Sequence, residues 1–221
     1  LVGYPFAVAW QELQKSYKTR YPTFPDVPLL RVNNINDLDS VRAIEKYAPD
    51  LVVVSGTNLV GKQIIKLASN KKGIINLHTG ISPYIKGGPN CTNWCLAEQS
   101  FHLIGNTVMW LDQGIDSGNI IATEQTPLTG QETLVELHWK VMEHAHNLYI
   151  RVIKKLANGQ TVPSVPQESI GKGKTFYTIE WNGWAMLKAL INFRRYYSMY
   201  FLDGQEYRNQ SSRLNLVLTQ K

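Results

Sequence analysis

Cysteine is scarce in this sequence, and long apolar stretches are missing. Two cysteines among 221 residues cannot supply the disulfide framework that small secreted domains need. No uncharged apolar run reaches the roughly 20 residues that cross a bilayer, and no basic head followed by an apolar stretch opens the chain. We therefore expect a protein of the reducing cytoplasm that has no membrane partner.

Signatures of nucleic-acid binding are also missing. The net charge of +6 comes from 23 basic and 17 acidic residues, which are spread along the chain rather than collected in a tail. No helix-turn-helix, zinc finger or RNA-binding aromatic motif accompanies this charge, so we predict no nucleic-acid partner. The charge suits an anionic small ligand, and a mildly basic surface without a specific ligand is an equal alternative. Cys91 and Cys95 lack a second pair of ligands nearby, which predicts buried thiols and no metal.

The sequence does contain a regular alternation of predicted strands and helices. Runs rich in β-branched residues, typical of strands buried on both faces of a parallel sheet, alternate with amphipathic stretches. This order is the signature of βαβ units, and it predicts an α/β fold with a Rossmann-like, mostly parallel sheet and helices on both faces. The predicted strands are residues 27–32, 51–56, 73–78, 106–112 and 118–128, and the predicted helices are 37–50, 59–72 and 88–100.

A longer helix follows these elements. Thr129 and Glu132 form a capping-box pattern at the start of a long amphipathic run. Gly159 stands near the end of the run, where a glycine is a plausible C-terminal cap. We therefore predict one long helix between these positions.

Pro163 and Pro166 mark the best candidate domain boundary. We predict a catalytic domain over residues 1–163 and a small C-terminal extension over residues 164–221. Aromatic residues are dense in this extension, which predicts a packed segment or a subunit contact, and hence a possible homodimer. A surface that stacks on a base or a sugar is the alternative. Because the chain opens without methionine, inside what looks like the middle of a domain, we also expect an N-terminal piece to be missing.

Asn76 and His78 stand two positions apart at the end of a predicted strand. Side chains at this spacing project from one face of a strand, while Leu77 packs on the other face. The carboxyl end of such a strand overlooks the crevice in which α/β sheets bind ligands. An amide and an imidazole there can hydrogen-bond an oxygen that gains negative charge when a carbonyl is attacked. The pair has no nucleophile of its own, so the substrate must bring one.

Asp112 and Asp116 follow a later predicted strand, in a loop that returns to extended structure after Gly118. A carboxylate beside an imidazole favours the protonated ring and can help to move a proton. Amide, imidazole and carboxylate together would serve acyl transfer to an amine. Spacing alone leaves a second interpretation open, in which the aspartates are ordinary turn residues and the strand merely ends in two polar side chains.

Residues 49–160 resemble the folate-dependent formyltransferase family. In that family, a strand that ends in Asn-x-His leads into a loop of the type Ser-Leu-Leu-Pro, followed by an aromatic or aliphatic residue, a basic residue and glycine. An Asp-x-Gly with an apolar tail comes later in the chain. The matching stretches here are Asn76-Leu77-His78, then GISPYIKG at 80–87, then Asp116-Ser117-Gly118 with the tail NII.

The resemblance implies a division of roles among these residues. Asn76 and His78 would polarise the formyl carbonyl of 10-formyltetrahydrofolate and hold the oxyanion, while Asp116 would orient His78 and help to remove the amine proton. Lys86 and Gly87 would bind the substrate, with an ordinary exposed lysine as the alternative. No metal is implied. The folate pocket would lie beside this site, at Asn58, Leu59, Val60, Leu111, Asp112, Gln113 and Gly114.

The loop after His78 departs from the family pattern. Thr79-Gly80 stand where the family usually has Pro-Ser, and Ser82 replaces the leucine before the proline. With the aromatic extension, these departures favour an enzyme most like the bacterial N-formyltransferases of nucleotide-linked amino sugars, which serve surface polysaccharide (O-antigen) biosynthesis. The alternatives are a methionyl-tRNA or glycinamide ribonucleotide formyltransferase, a formyltetrahydrofolate hydrolase, and a non-catalytic binding module of the same fold.

Overall fold

The structure of the protein, a computed structural model, describes residues 2–217. The strands are β1 (Val52–Ser55), β2 (Ile74–His78), β3 (Ile85–Gly87), β4 (Gly105–Trp110), β5 (Ile120–Gln125) and β6 (Lys174–Phe176). The α-helices are α1 (Tyr4–Arg20), α2 (Leu38–Tyr47), α3 (Lys62–Ser69), α4 (Cys91–Ala97), α5 (Leu134–Ala157), α6 (Gln167–Ile170), α7 (Gly183–Asn192), α8 (Ser198–Asp203) and α9 (Gln205–Ser211). Two 3₁₀ turns cover Phe101–Leu103 and Thr178–Glu180, and a π-helical turn, Phe193–Tyr197, joins α7 to α8.

The main sheet has the strand order β1-β2-β4-β5. β1 runs parallel to β2, whereas β4 is antiparallel to both of its neighbours. The predicted α/β fold with a central sheet is confirmed, and the strand directions differ from the mostly parallel sheet that we expected. A strand that is buried on both faces is a continuous apolar run in either direction, so its sequence does not encode which way it runs.

Helices cover both faces of this sheet, as predicted, because the side chains of each strand alternate between the faces. In β2, Ile74 packs with residues of α2 and α3 on one face. Ile75 and Leu77 pack with residues of α5 on the other face. Leu77 therefore points away from Asn76 and His78, in agreement with the spacing argument.

Residues 27–32 form no strand, so that prediction is wrong. The segment has no regular secondary structure, and its apolar side chains are exposed, as is the neighbouring Phe24, which is 80% exposed. Apolar and β-branched composition favours a strand only where a neighbouring strand completes the hydrogen-bond ladder. No strand within residues 2–217 pairs with the outer edge of β1. Pro25 and Pro28 also lack the N–H groups that a ladder needs.

The long helix α5 begins later than we predicted. The hydroxyl of Thr133 accepts a hydrogen bond from the Glu136 N–H, and the Glu136 carboxylate accepts one from the Thr133 N–H, so this pair forms the capping box. Thr129 donates to a buried Glu132 in the loop before the helix. Two overlapping Thr-x-x-Glu patterns occur here, and only packing distinguishes them. At the other end, Gly159 has the left-handed φ of +74° that is common just after a helix.

The segment after Pro163 is joined to the rest of the chain by backbone hydrogen bonds. Val165 and Ile120 exchange two of them, each 2.8 Å long. β6 then pairs in parallel with β3, where Phe176 lies opposite Gly87. The predicted division of the chain at residue 163 stays a prediction.

The predicted aromatic-rich extension is present, and much of it is packed. The rings of Trp94 and Phe176 stack with centroids 4.3 Å apart, and Tyr197 and Tyr200 pack edge-on around Phe101. One hydrophobic cluster includes side chains from both sides of residue 163. Within the described part of the chain, no helix is long and apolar enough to cross a membrane.

Candidate active site

β2 ends at the site and presents Asn76 and His78 on one face of the sheet. Both side chains converge on Asp116, which lies in the loop between β4 and β5. Asn76 Nδ2 donates to Asp116 Oδ1 at 3.2 Å, and His78 Nδ1 lies 3.2 Å from Asp116 Oδ2. The structure therefore brings together the three residues that the sequence singled out.

Asp116 is held in an unusual conformation. Its φ is +46°, in the left-handed region that most residues other than glycine avoid. The backbone N–H of Gly87 donates to Asp116 Oδ2 at 3.0 Å, so the carboxylate also binds the end of β3. Two side chains and one backbone amide thus converge on a single carboxylate that is mostly buried.

The second ring nitrogen of His78 faces the protein. Nε2 lies 3.3 Å from the carbonyl oxygen of Ile85 and 3.5 Å from Cys91 Sγ. Burial raises the pKa of the Cys91 thiol well above its usual range, so the thiol keeps its proton, which it donates to the Gly87 carbonyl oxygen at 3.5 Å. Because a carboxylate can only accept a hydrogen bond, the contact with Asp116 requires a proton on Nδ1. Contacts of this length are long for hydrogen bonds, and such contacts tighten or exchange when a substrate enters.

Gly80 is required by the close approach of this imidazole. A Cβ atom at position 80 would lie 2.6 Å from His78 Nε2 and 2.9 Å from Cys91 Cβ. The loop is fixed there because Thr107 Oγ1 donates to the Gly80 carbonyl at 2.6 Å and accepts the Ser82 N–H at 3.0 Å. The departure from the family pattern at this loop therefore lies directly against His78.

The loop that carries Asp116 is held by a residue that the sequence analysis missed. Gln167 Nε2 donates to the carbonyl oxygens of Asp116 at 2.7 Å and Gly118 at 2.8 Å. On the other side, Gly118 packs so closely that a Cβ atom would lie 1.8 Å from the carbonyl oxygen of Trp110. A glutamine 51 positions from Asp116 carries no catalytic chemistry and no motif. No signal in the sequence pointed to it.

Asp116 and its partners line a cavity of about 730 Å³, which is within the usual size range of ligand sites. Gly87 lines it, and Lys86 does not. Asp112 Oδ1 accepts hydrogen bonds from the Gly114 N–H at 2.9 Å and the Ser117 hydroxyl at 2.5 Å, so this side chain closes its own loop. The described residues contain no group of three or more His, Cys, Asp or Glu side chains that could hold a metal. All seven predicted folate-binding residues line the cavity: Asn58, Leu59, Val60, Leu111, Asp112, Gln113 and Gly114.

A second wall of the cavity was not predicted. Helix α1 contributes Phe6 and Trp10, and α5 contributes His138 and Met142, which lie one helical turn apart. Burial lowers the pKa of His138 to about 4, so the ring is neutral at pH 7. Neither of its ring nitrogens has a hydrogen-bond partner among residues 2–217. The sequence placed His138 on a helix but carried no sign that the helix borders the site.

The fold and the site together define a class of protein. An α/β sheet that ends in an amide, an imidazole and a carboxylate, beside a cavity of ligand size, is suited to acyl transfer. The model of the formyl transferase family matches residues 9–153 of this chain. The protein therefore belongs to the formyl transferase family.

Several curated relatives are methionyl-tRNA formyltransferases. The chain is 28% identical to the enzyme of Clostridium perfringens over 134 residues, which are 60% of this chain and 42% of the relative. It is 30% identical to the enzyme of Syntrophus aciditrophicus over 142 residues, which are 64% of this chain and 44% of the relative. The chain thus spans less than half the length of these relatives.

Solved structures with a similar fold include sugar N-formyltransferases. The formyltransferase PseJ from Anoxybacillus kamchatkensis, solved with UDP-4,6-dideoxy-4-formamido-L-AltNAc and tetrahydrofolate, matches with a TM-score of 0.53 and 19% identity, over 81% of this chain and 92% of that one. A sugar N-formyltransferase from a Shewanella species matches with a TM-score of 0.55 and 18% identity, over 84% of each chain. At these identities the likeness shows a shared fold.

Proposed function

We propose that this protein transfers a formyl group from 10-formyltetrahydrofolate to the primary amine of a nucleotide-linked amino sugar. The observation that carries the proposal is the contact of one carboxylate, Asp116, with both Asn76 and His78 beside the cavity. Membership of the formyl transferase family supports the formyl group and the folate. A solved protein of the same fold that holds a UDP-linked formamido sugar and tetrahydrofolate supports the sugar.

The three residues would divide the chemistry between them. Asn76 Nδ2–H and His78 Nδ1–H now contact Asp116, and a formyl oxygen that enters between them takes over both donors. They then hold the negative charge that this oxygen gains when the amine nitrogen attacks the formyl carbon. Losing these donors leaves the Asp116 carboxylate ready to accept, through water, the proton that the amine must lose. That proton balances the one that the leaving nitrogen of the folate takes up when its bond to the formyl carbon breaks.

The loops after β1 and β4 would hold the folate, which supplies the activated formyl group when bound. Both loops line the same cavity as Asp116, so the bound formyl group would lie within reach of the donors. Asp112 closes its own loop through the Gly114 N–H and the Ser117 hydroxyl. A loop that is already closed presents its remaining backbone groups in fixed positions, which suits recognition of a flat, polar ring. These residues fit the group that the family implies.

The second wall supports a sugar as the acceptor. Trp10 offers an aromatic face to the C–H groups of a sugar ring, and His138 offers a neutral donor and acceptor to its hydroxyls. A charged imidazole would have suited a phosphate instead. The curated relatives favour a second candidate acceptor, methionyl-tRNA.

A turnover assay distinguishes these functions. Purified protein is incubated with 10-formyltetrahydrofolate alone, then with nucleotide-linked 3-amino and 4-amino sugars, methionyl-tRNA or glycinamide ribonucleotide, while the release of tetrahydrofolate is followed. Release that requires an amino sugar supports the proposal. Release with methionyl-tRNA alone supports the second candidate, and release without any amine indicates a hydrolase. No release under any condition contradicts an enzymatic function and leaves a binding module.

We also propose a homodimer through residues 164–221. Trp184, Leu187 and Ile191 lie at helical spacing on α7 and are exposed, with Trp184 69% exposed. An exposed apolar stripe of this kind suits contact with a second copy. A cytoplasmic location and a role in O-antigen biosynthesis stay predictions.

A further inference from the structure

Gln167 connects the C-terminal part of the chain to the loop that carries Asp116. It begins the short helix α6, directly after Pro166, and it is 8% exposed. Its two shortest hydrogen bonds run to carbonyl oxygens, those of Asp116 and Gly118, and a longer contact of 3.8 Å reaches Met109 Sδ, so the amide nitrogen must face these acceptors. The amide oxygen of Gln167 is buried and has no hydrogen-bond partner within the described chain. All of the hydrogen bonds between this side chain and the protein are therefore made by Nε2.

The position of Gln167 is itself fixed by the backbone. The two hydrogen bonds between Val165 and Ile120 lie just before Gln167 in the chain and just after Gly118. This bridge holds residues 165–167 alongside the start of β5. The glutamine therefore reaches the loop from a rigid base, rather than from a flexible arm.

The loop needs such support because its backbone is strained. Asp116 has a φ of +46°, and a left-handed conformation at a residue other than glycine persists only when the surrounding structure enforces it. Gly118 is pressed against the carbonyl of Trp110 on one side, and Gln167 provides the hydrogen bonds on the other. Without Nε2, the partly buried carbonyl of Asp116 and the buried carbonyl of Gly118 would lose this donor, and a buried carbonyl without a donor is unfavourable.

We propose that Gln167 is a positioning residue, which holds the Asp116 backbone so that the carboxylate reaches Asn76, His78 and the Gly87 amide. Its effect on the reaction rate rests on the proposed function, whereas its effect on the geometry of the carboxylate does not. The Gly87 N–H donates to Asp116 Oδ2 at 3.0 Å, so this amide proton reports the position of the carboxylate directly.

The test compares Gln167→Met with Gln167→Asn. Methionine keeps the length of the side chain and removes both N–H groups, while asparagine keeps them on a shorter arm. Gln160→Met is the matched control, because Gln160 is an exposed glutamine seven positions earlier. We expect kcat to fall about tenfold or more in Gln167→Met, with a smaller change in the KM for 10-formyltetrahydrofolate and an intermediate kcat in Gln167→Asn. We also expect the Gly87 amide proton to exchange with solvent about tenfold faster in Gln167→Met, as measured by NMR.

Two outcomes would overturn this role. One is a folded Gln167→Met whose kcat and Gly87 amide exchange equal those of Gln160→Met. If Gln167→Met does not fold, the same equality in Gln167→Asn is the contradicting result. A wild-type protein that releases no tetrahydrofolate with any amine would defeat the proposed function, and the exchange of the Gly87 amide would still decide the role of Gln167.

Discussion

Asn76 Nδ2 lies 3.2 Å from Asp116 Oδ1, although 40 positions separate the two residues in the chain. The same carboxylate contacts His78 through its other oxygen. One acidic group therefore contacts both donors of the proposed site. Removing its charge should disable the site without removing any part of the core.

The first prediction concerns that charge. Asp116→Asn keeps the size of the side chain and loses the base, so we expect kcat to fall several hundredfold or more, as we do for His78→Ala. The melting temperature should change little. The comparison variant is Asp39→Asn, because the Asp39 side chain is 67% exposed and lies in α2. A near-normal kcat in Asp116→Asn would reject the site.

The second prediction concerns Gly80. In Gly80→Ala the new methyl group would meet His78 Nε2 at 2.6 Å, so either the imidazole or Cys91 must move. We expect kcat to fall about tenfold or more and the melting temperature to fall by a few degrees. Gly183→Ala serves as the control, since a Cβ atom there meets nothing within 4 Å. Equal rates in the two variants would show that Gly80 is dispensable.

The third prediction concerns the unpredicted wall of the cavity. His138→Phe removes a neutral hydrogen-bonding group, and one such bond corresponds to about a threefold to tenfold change in binding. We expect the KM for the amine acceptor to rise by this factor, while the KM for the folate stays unchanged. His146→Phe is the control, because His146 lies on α5 but does not line the cavity. The wall does not bind the acceptor if both KM values match those of the control.

The fourth prediction uses the pKa of His138, which burial lowers from 6.5 to about 4. Below pH 6.5 the His138 side chain binds a proton in the unfolded chain, whereas in the folded chain it stays unprotonated until about pH 4. The folded protein therefore loses stability as the pH falls through this window, by up to about 3 kcal/mol. His138→Phe should lose about 3 kcal/mol less between pH 7 and pH 4, as measured by urea unfolding.

Other histidines titrate in the same window, so only the difference between the two proteins measures His138. Burial also lowers the pKa values of His102, His144 and His146, and these groups are present in both. An identical loss of stability in wild type and variant would mean that His138 is protonated as easily in the folded chain as in the unfolded one.

The fifth prediction concerns the exposed stripe on α7. Trp184→Glu places a charge at the N-terminal end of the stripe, on its most exposed side chain, and we expect a dimer in the wild type and a monomer in the variant by sedimentation velocity. Trp139→Glu makes the same change at a partly exposed tryptophan on α5, outside the stripe. A monomeric wild type, or a variant that stays dimeric, would contradict an interface at this face.

The sequence predicts structure correctly where a feature depends only on neighbouring residues, as the direction of side chains along a strand does. The period of two in β2 correctly separated Leu77 from Asn76 and His78, because side-chain direction in a strand depends only on the backbone. The predicted strand at residues 27–32 is wrong because a strand depends on a distant partner, and no other strand among the described residues pairs with this segment. The predicted start of α5 is wrong because Thr129 and Thr133 both begin a Thr-x-x-Glu pattern, and the helix uses the second one.

Local chemistry and motif order were enough to identify Asn76, His78 and Asp116 as one candidate site in an α/β protein of the formyl transferase family. Residue types and their order along the chain carry that information. The direction of β4, the contact of Gly80 with His78, the support from Gln167 and the wall containing His138 emerged only in the folded chain. Each of these features is a contact between residues that are far apart in the chain, and the packing of the folded protein determines which of them come together.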